Sequence, residues 1–513
     1  MPQWEKMPDL LAADERAEGP LRAGADLFDV VIVGAGLSGV GAACHLRRKC
    51  PTKTIAVIEA RNAIGGTWDL FRYPGVRSDS DMSTFGYSFR PWDRPTAIAD
   101  GRSIVEYIRK TAQEFGVDRL VRFGHRLTRA AWDSRASSWT LDIERDDGAP
   151  VRLACRFLYM CAGYYDYDHG YMPGWPGMER FAGLIVHPQD WPANLDCAGK
   201  RVIVIGSGAT AVTLIPALAE TAAHVTMLQR SPTFVAARPA EDPIAAWLLK
   251  NLPAHAALAL TRWKNIALQM YFYRLARRKP EKARAALLKL AQGEVGAGFD
   301  AAAMFDAPYN PWDQRLCLAP DGDLFRAIRE GKAAVVNGEI ETFTEAGLAL
   351  RSGERLEADV IVTATGLIVR LLGGAELVVD GGIVEVGKRM TYKGVMLNGI
   401  PNFAFAIGYA NASWTLKCDL SAEYICRVLS HMDRRGYTVA TPEAKEGSIS
   451  EDPTLPLNSG YVQRARALLP KQGAKQPWRM NQNYALDLLA FRFSAIEDGV
   501  LAFKRRATAK AAA

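Results

Sequence analysis

The chain has 513 residues, enough for about two to four domains of ordinary size. Apolar residues make up 49% and charged residues 23%, the balance of a globular protein that buries a core. A net charge of +7 over this length excludes a dedicated nucleic-acid binder and suits anionic cofactors.

No run of about 18 residues is both apolar and uncharged, so no membrane-spanning helix is expected. Residues 1–25 are polar and acidic, without the basic and apolar regions of a signal peptide, and are expected to be a disordered extension. The end of the chain, from Lys504, reads as a frayed basic tail. The eight cysteines form no CxxC pair and no metal-like cluster. No metal is expected, and the cysteines read as buried, reduced thiols of a cytoplasmic protein.

The first element is an apolar, β-branched run, Phe28 to Val33, of the kind that forms a buried parallel strand. Gly34-Ala-Gly36-Leu-Ser38-Gly39 follows at once, then a helical stretch to Lys49. A second strand, Thr54 to Ile58, ends at Glu59. Strand, glycine turn, helix, strand and acid together make a dinucleotide-binding unit. Gly34 permits the turn, Gly36 admits a pyrophosphate and Gly39 lets helix and strand pack closely. The helix start offers free N–H groups to phosphate, and Glu59 can accept two ribose hydroxyls.

A second unit begins at Arg201 to Ile205, turns through Gly206-Ser207-Gly208-Ala209-Thr210-Ala211 and continues to a strand at Val225 to Leu228. Gln229-Arg230-Ser231 stands where an acid would be. Arg230 attracts a 2′-phosphate and Ser231 can hydrogen-bond it, so this loop should prefer NADPH to NADH. Between the two units lies Phe181-Ala-Gly183-Leu-Ile-Val-His187-Pro-Gln-Asp-Trp191-Pro192, an FxGxxxHxxxWP segment that points to a flavin and a nicotinamide working together.

Residues 240–295 are rich in Ala, Leu and Arg with helical periodicity, and they predict a helical subdomain over the site. Its basic run, Arg274 to Lys279, fits a solvated helix face or peripheral contact with an anionic membrane. The apolar run Asp359 to Thr365 before Gly366 predicts the strand at which the second sheet closes and the chain crosses back. The expected architecture is α/β, with two Rossmann-like domains. An FAD domain takes residues 26–165 and 385–505. An NADP domain takes 166–384, with a helical insertion at about 240–310.

From about residue 27 to 505 the chain resembles flavoprotein monooxygenases of the Baeyer–Villiger type. FxGxxxHxxxWP carries the resemblance, as do the pair of glycine loops and Gly65-Gly66-Thr67-Trp68-Asp69-Leu70-Phe-Arg-Tyr73-Pro74-Gly75-Val-Arg77-Ser-Asp79, which looks like GGxWxxxx(Y/F)PGxxxD. The spacing from Tyr309-Asn-Pro-Trp-Asp-Gln314-Arg315 to the Asp359 strand also fits. The resemblance implies oxygen insertion beside a ketone carbonyl, giving an ester or lactone. It also implies oxidation of sulfur in sulfides and thioamides.

By position, the resemblance puts the catalytic arginine at Arg315 and its acidic partner at Asp79. FAD contacts fall on Gly34, Gly36, Ser38, Gly39, Glu59, Thr67, Trp68, Asp69, Leu70, Arg77 or Asp79, and Leu127. NADPH contacts fall on Gly206 to Ala211, Arg230 and Ser231. Many members carry lysine just before the catalytic arginine. Gln314 replaces it here, leaving Arg230 with most of the 2′-phosphate recognition. Arg315 would supply fixed positive charge where the reaction develops negative charge, and Asp79 would orient it.

His187 and Trp191, with Phe181 and Gly183, read as residues pinning a hinge between domains rather than as a general base. A flavin disulfide reductase would share both loops but needs a redox cysteine pair near Gly65-Gly66, and no cysteine lies between Cys50 and Cys155. A monooxygenase acting mainly on nitrogen or sulfur, or an uncoupled NADPH oxidase, would also carry both loops. The expected partners are O₂ and a small ketone or sulfide.

Overall fold

A computed structural model describes residues 27–444, 449–453 and 458–505. The extension expected over residues 1–25 and the tail beyond Arg505 lie outside the described residues. Two sheets organise the chain. The first has nine strands. Leu27–Val33 lies in parallel between Ile55–Ile58 and Pro150–Met160, with Val33 opposite Ile58 and Met160. Val30, Val31 and Ile32 are fully buried, as a strand covered on both faces requires. An antiparallel meander, His125–Asp133, Ser138–Arg145 and Pro150–Met160, extends this sheet.

The second sheet is wholly parallel. Its order is Ala333–Asn337, His224–Gln229, Arg201–Ile205, Val360–Thr363 and Leu184–Val186. The strand expected at Asp359 to Gly366 is thus Val360–Thr363, and it takes the position next to Arg201–Ile205. The helices Leu37–Lys49 and Ala209–Leu218 follow the two glycine loops. Each sheet with its helix builds its own apolar core.

The helical insertion comprises Pro243–Asn251, Ala254–Arg278, Pro280–Val295 and Ala301–Phe305. The chain returns to the first sheet earlier than residue 385. Glu376–Val379 pairs in parallel with His125–Asp133, and Gly382–Ile383 follows at the edge. The outgoing connection Tyr165–Gly170 and the return connection Leu367–Val369 pair antiparallel with each other. Both crossings between the sheets therefore run side by side. All eight cysteines are buried and unbridged, and no described helix is long and apolar enough to cross a membrane.

Candidate active site

Both glycine loops use one steric device. Gly34 has φ +105°, and a Cβ there would stand 2.6 Å from the carbonyl oxygen of Cys161. Gly206 has φ +133°, and its Cβ would stand 2.3 Å from the carbonyl oxygen of Ala364. A side chain at Gly39 would stand 1.8 Å from the carbonyl oxygen of Gly34, so helix and turn pack in direct backbone contact. Neither Gly36 nor Gly208 caps its helix with a side chain. Each helix thus presents uncapped N–H groups at its start, an arrangement suited to phosphate.

The Gly65-Gly66 turn closes over the first loop, and a Cβ on Gly66 would meet Gly36 Cα at 2.9 Å. One cavity runs past both loops. Gly34, Gly36, Ser38, Glu59, Thr67, Trp68, Arg77, Asp79 and Leu127 line it from the first domain, and Ala209, Thr210 and Arg315 from the second. Glu59 accepts N–H groups from Ala35 at 2.7 Å and Arg61 at 2.9 Å. Burial raises its pKa, and these two bonds oppose that shift.

Of the expected FAD contacts, Gly39, Asp69 and Leu70 do not reach the cavity lining, and of the expected NADPH contacts Ala209 and Thr210 alone reach it. Asp69 is buried, with its carboxylate 2.8 Å from both Arg61 and Arg109. These two ion pairs brace the turn. Arg77 is on the wall, but its guanidinium pairs with Asp323 at 2.5 Å. In the second loop, Gly208 faces open space, and Ser207 Oγ donates to the Ser231 carbonyl at 3.0 Å. Arg230 is exposed beyond the end of its strand.

Arg315 and Asp79 meet across the domains at 3.9 Å, an ion pair beyond hydrogen-bond distance. The Asp79 charge raises the Arg315 pKa above its ordinary range against the opposing effect of burial. Three tyrosines, Tyr164, Tyr165 and Tyr461, surround the guanidinium closely enough to act on it electrostatically. The Tyr164 and Tyr165 hydroxyls are 2.6 Å apart, and burial raises both pKa values. Tyr164 stacks on Trp414 at 5.1 Å, and Trp414 Nε1 donates to Ser38 Oγ at 3.1 Å. Tyr167 hydroxyl lies 3.0 Å from Thr67 Oγ1. No sequence motif singles out these aromatic residues. The run Gly163-Tyr164-Tyr165-Asp166-Tyr167, directly after a buried strand, is the signal that could have found them.

The FxGxxxHxxxWP segment supplies the edge strand Leu184–Val186 of the second sheet. Phe181 is buried against Phe343, and a Cβ at Gly183 would stand 2.4 Å from the Asp359 carbonyl oxygen. His187 is buried, with Nδ1 3.2 Å from the Gln189 N–H nitrogen and Nε2 3.2 Å from the Gly366 carbonyl oxygen. Burial lowers its pKa. A neutral ring protonated at Nε2 satisfies both bonds. His187 is not part of the cavity lining.

Comparison with known proteins agrees with this layout. Residues 29–250 match a family model described as flavin-binding monooxygenase-like. The FAD-containing monooxygenase EthA of Mycobacterium tuberculosis is 51% identical over 480 residues, covering 93% of this chain and 98% of that protein. The putative FAD-containing monooxygenase MymA of the same species is 50% identical over 492 residues, covering 95% and 99%. The solved structure of an oxidized steroid monooxygenase bound to NADP superposes with a TM-score of 0.76 at 24% identity, covering 94% of this chain and 100% of that one. An open cyclohexanone monooxygenase gives 0.70 at 20% identity, with coverage of 94% and 100%. These structures share the fold of two dinucleotide domains. At 51% identity over nearly its whole length to a monooxygenase of this kind, the chain belongs to the flavin-binding monooxygenase-like family.

Proposed function

We propose that this protein is an NADPH-consuming, FAD-dependent monooxygenase of the Baeyer–Villiger type. It places one oxygen atom of O₂ beside a ketone carbonyl and releases an ester or lactone. Oxidation of sulfides and thioamides is its side activity. The observation that carries this reading is Arg315, set 3.9 Å from Asp79 on the wall of the cavity that both glycine loops line.

The residues present suit both cofactors. Gly34, Gly36 and Gly66 leave room for a pyrophosphate to approach the backbone, and the uncapped start of Leu37–Lys49 offers it N–H groups. Glu59 and Leu127 would hold the ribose and adenine of FAD. Gly206 to Ala211 would hold the NADPH pyrophosphate, and Arg230 its 2′-phosphate. FAD held there would supply the redox chemistry, accepting reducing equivalents from NADPH and activating O₂.

The chain's own part is electrostatic. Arg315 stays charged at any working pH, so it offers fixed positive charge where negative charge develops as the ketone is attacked. Asp79 aims the guanidinium without sharing a hydrogen bond with it, which leaves its N–H groups free to donate to the reacting centre. Tyr164, Tyr165 and Trp414 share this cavity wall with the guanidinium, whose side chain is 39% exposed.

A panel of ketones and sulfides assayed with NADPH, with products identified by mass spectrometry, tests the reading. Ester or lactone from a ketone supports it. Sulfoxide or N-oxide without any ester would replace it with a heteroatom oxygenase. NADPH consumption without product would replace it with an oxidase.

A further inference from the structure

Three helices carry exposed apolar side chains that the proposed chemistry does not use. On Ala254–Arg278, Leu260, Leu268, Tyr271, Phe272 and Leu275 are exposed and fall on one side at about 100° per residue. The opposite side is fixed to the protein. Arg262 donates to the carbonyl oxygens of Ser83 and Gly86 at 2.9 and 2.6 Å, and Asn265 donates to Asp81 at 2.9 Å.

Two further helices carry exposed apolar side chains. Trp247, on Pro243–Asn251, is 61% exposed. On Tyr484–Phe493, Leu486, Leu489 and Phe493 repeat at helical spacing, and Phe493 is 75% exposed. Trp263 joins the helices through Tyr484, with ring centroids 5.8 Å apart. A groove of about 520 Å³ runs along Ala254–Arg278, meets the helix Tyr484–Phe493 at Ala485, and shares no lining residue with the cofactor cavity.

The charge along the groove itself is positive. Arg274, Arg278 and Lys279 are exposed along the groove. The three helices contain a single acidic residue, Asp487, which is buried and paired with Lys417 at 2.8 Å. Exposed aromatic and aliphatic side chains beside unopposed cations are the composition of a surface that lies in a headgroup layer. Tryptophan and tyrosine prefer that depth, with ring in the acyl boundary and polar edge in water. A second copy docked by two-fold symmetry would bring the same cations against themselves.

We propose that this face seats the protein on a bilayer surface containing anionic lipid. Tyr271, Phe272, Trp247 and Phe493 enter the headgroup–acyl boundary, and Arg274, Arg278 and Lys279 meet the lipid phosphates. The reading is independent of the substrate.

Sedimentation of the flavin-loaded protein with phosphatidylcholine vesicles, with and without phosphatidylglycerol, tests it. The protein should pellet with the phosphatidylglycerol vesicles, and the bound fraction should collapse near 1 M salt, where the Debye length falls to about 3 Å. The variant R274E/R278E/K279E and the variant Y271S/F272S/F493S should each bind at least about tenfold more weakly. Both should keep their flavin absorbance, because none of these residues lines the cofactor cavity. Wild-type protein left in the supernatant with phosphatidylglycerol vesicles, or binding unchanged in either variant, overturns the proposal. So does a wild-type dimer in size-exclusion chromatography that Y271S/F272S/F493S dissolves, because the face would then belong to a second copy.

Discussion

His187 joins the Gly366 carbonyl oxygen at 3.2 Å, and Gly366 opens the return connection between the two sheets. The outgoing connection ends at Gly170, where a Cβ would meet the His187 ring at 1.9 Å. One imidazole therefore touches both crossings, and both of its nitrogens are already bonded within the backbone. It has no nitrogen left for substrate, and we propose that it pins the angle between the domains. His187→Ala should keep its FAD. It should lose about 1 kcal/mol of positioning, the worth of an ordinary hydrogen bond, and yield several-fold less product per NADPH consumed. The ratio of product to NADPH measures this, and an unchanged ratio removes the hinge role.

The same residue gives a pH dependence. Burial lowers the His187 pKa from its ordinary 6.5. Below that pH the unfolded chain takes up a proton that the folded chain resists, so stability is lost as pH falls through 6.5 toward the lowered folded value. His187→Asn has no such proton to bind. The gap in thermal midpoint between wild type and His187→Asn should narrow on acidification from about pH 7.5 to 5.5. A constant gap would mean that the ring is not buried neutral.

Arg315→Ala removes the fixed charge and leaves both glycine loops intact. Flavin absorbance should be retained, while ester formation falls about 10²–10³-fold, the scale of a lost oxyanion donor. Asp79→Asn should fall less, because it disturbs only the aim of the guanidinium across 3.9 Å. Ester made by Arg315→Ala at the parental rate would sink the assignment.

The glycine loops were legible because each is a local device: strand, turn and helix start lie within about a dozen residues, and the steric need at Gly34 or Gly206 is met by adjacent chain. What the sequence hid was long-range. Tyr164 finds its stacking partner, Trp414, far along the chain, and no periodicity marks that pairing. Asp69 sits in a motif position that invites a cofactor contact, yet Arg109 from the helix Gly101–Glu114 claims its carboxylate. The early return at Glu376–Val379 leaves no mark in the sequence because a four-residue edge strand carries little pattern of its own.

The two loops should fail separately. Gly34→Ala forces a Cβ to within 2.6 Å of a backbone oxygen at φ +105°, so the purified protein should lose most of its FAD. Gly206→Ala carries the equivalent clash at 2.3 Å but in the second domain. It should keep FAD and raise KM for NADPH by at least about tenfold, the scale of 1–3 kcal/mol of strain. Flavin content and steady-state kinetics on both variants check this. Loss of flavin from Gly206→Ala would contradict the division between the loops.

Arg230 is exposed where an acid would select NADH. A charge-assisted bond to phosphate is worth about 1.5–3 kcal/mol, so Arg230→Ala should raise KM for NADPH roughly 10- to 150-fold and leave KM for NADH nearly unchanged. With Gln314 in place of a second cation, no nearby charge is expected to compensate. Equal loss with both nucleotides would assign Arg230 to folding of the loop instead.

Lys417 and Asp487 form a fully buried ion pair at 2.8 Å, beneath the apolar face and beside Tyr409. Asp487 also accepts from the Tyr409 hydroxyl at 2.7 Å and from Asn481 at 2.8 Å. Burial lowers the Lys417 pKa, and the Asp487 charge opposes that shift. Lys417→Met strands a carboxylate in the core and should cost about 3–5 kcal/mol. Lys417→Met with Asp487→Asn keeps the neutral hydrogen-bonding partner without the charge, and should recover much of that loss. Comparison of thermal midpoints across wild type, the single variant and the double variant decides it. A double variant no more stable than Lys417→Met alone would show that the lysine stem, and not the charge it neutralises, holds this part of the core.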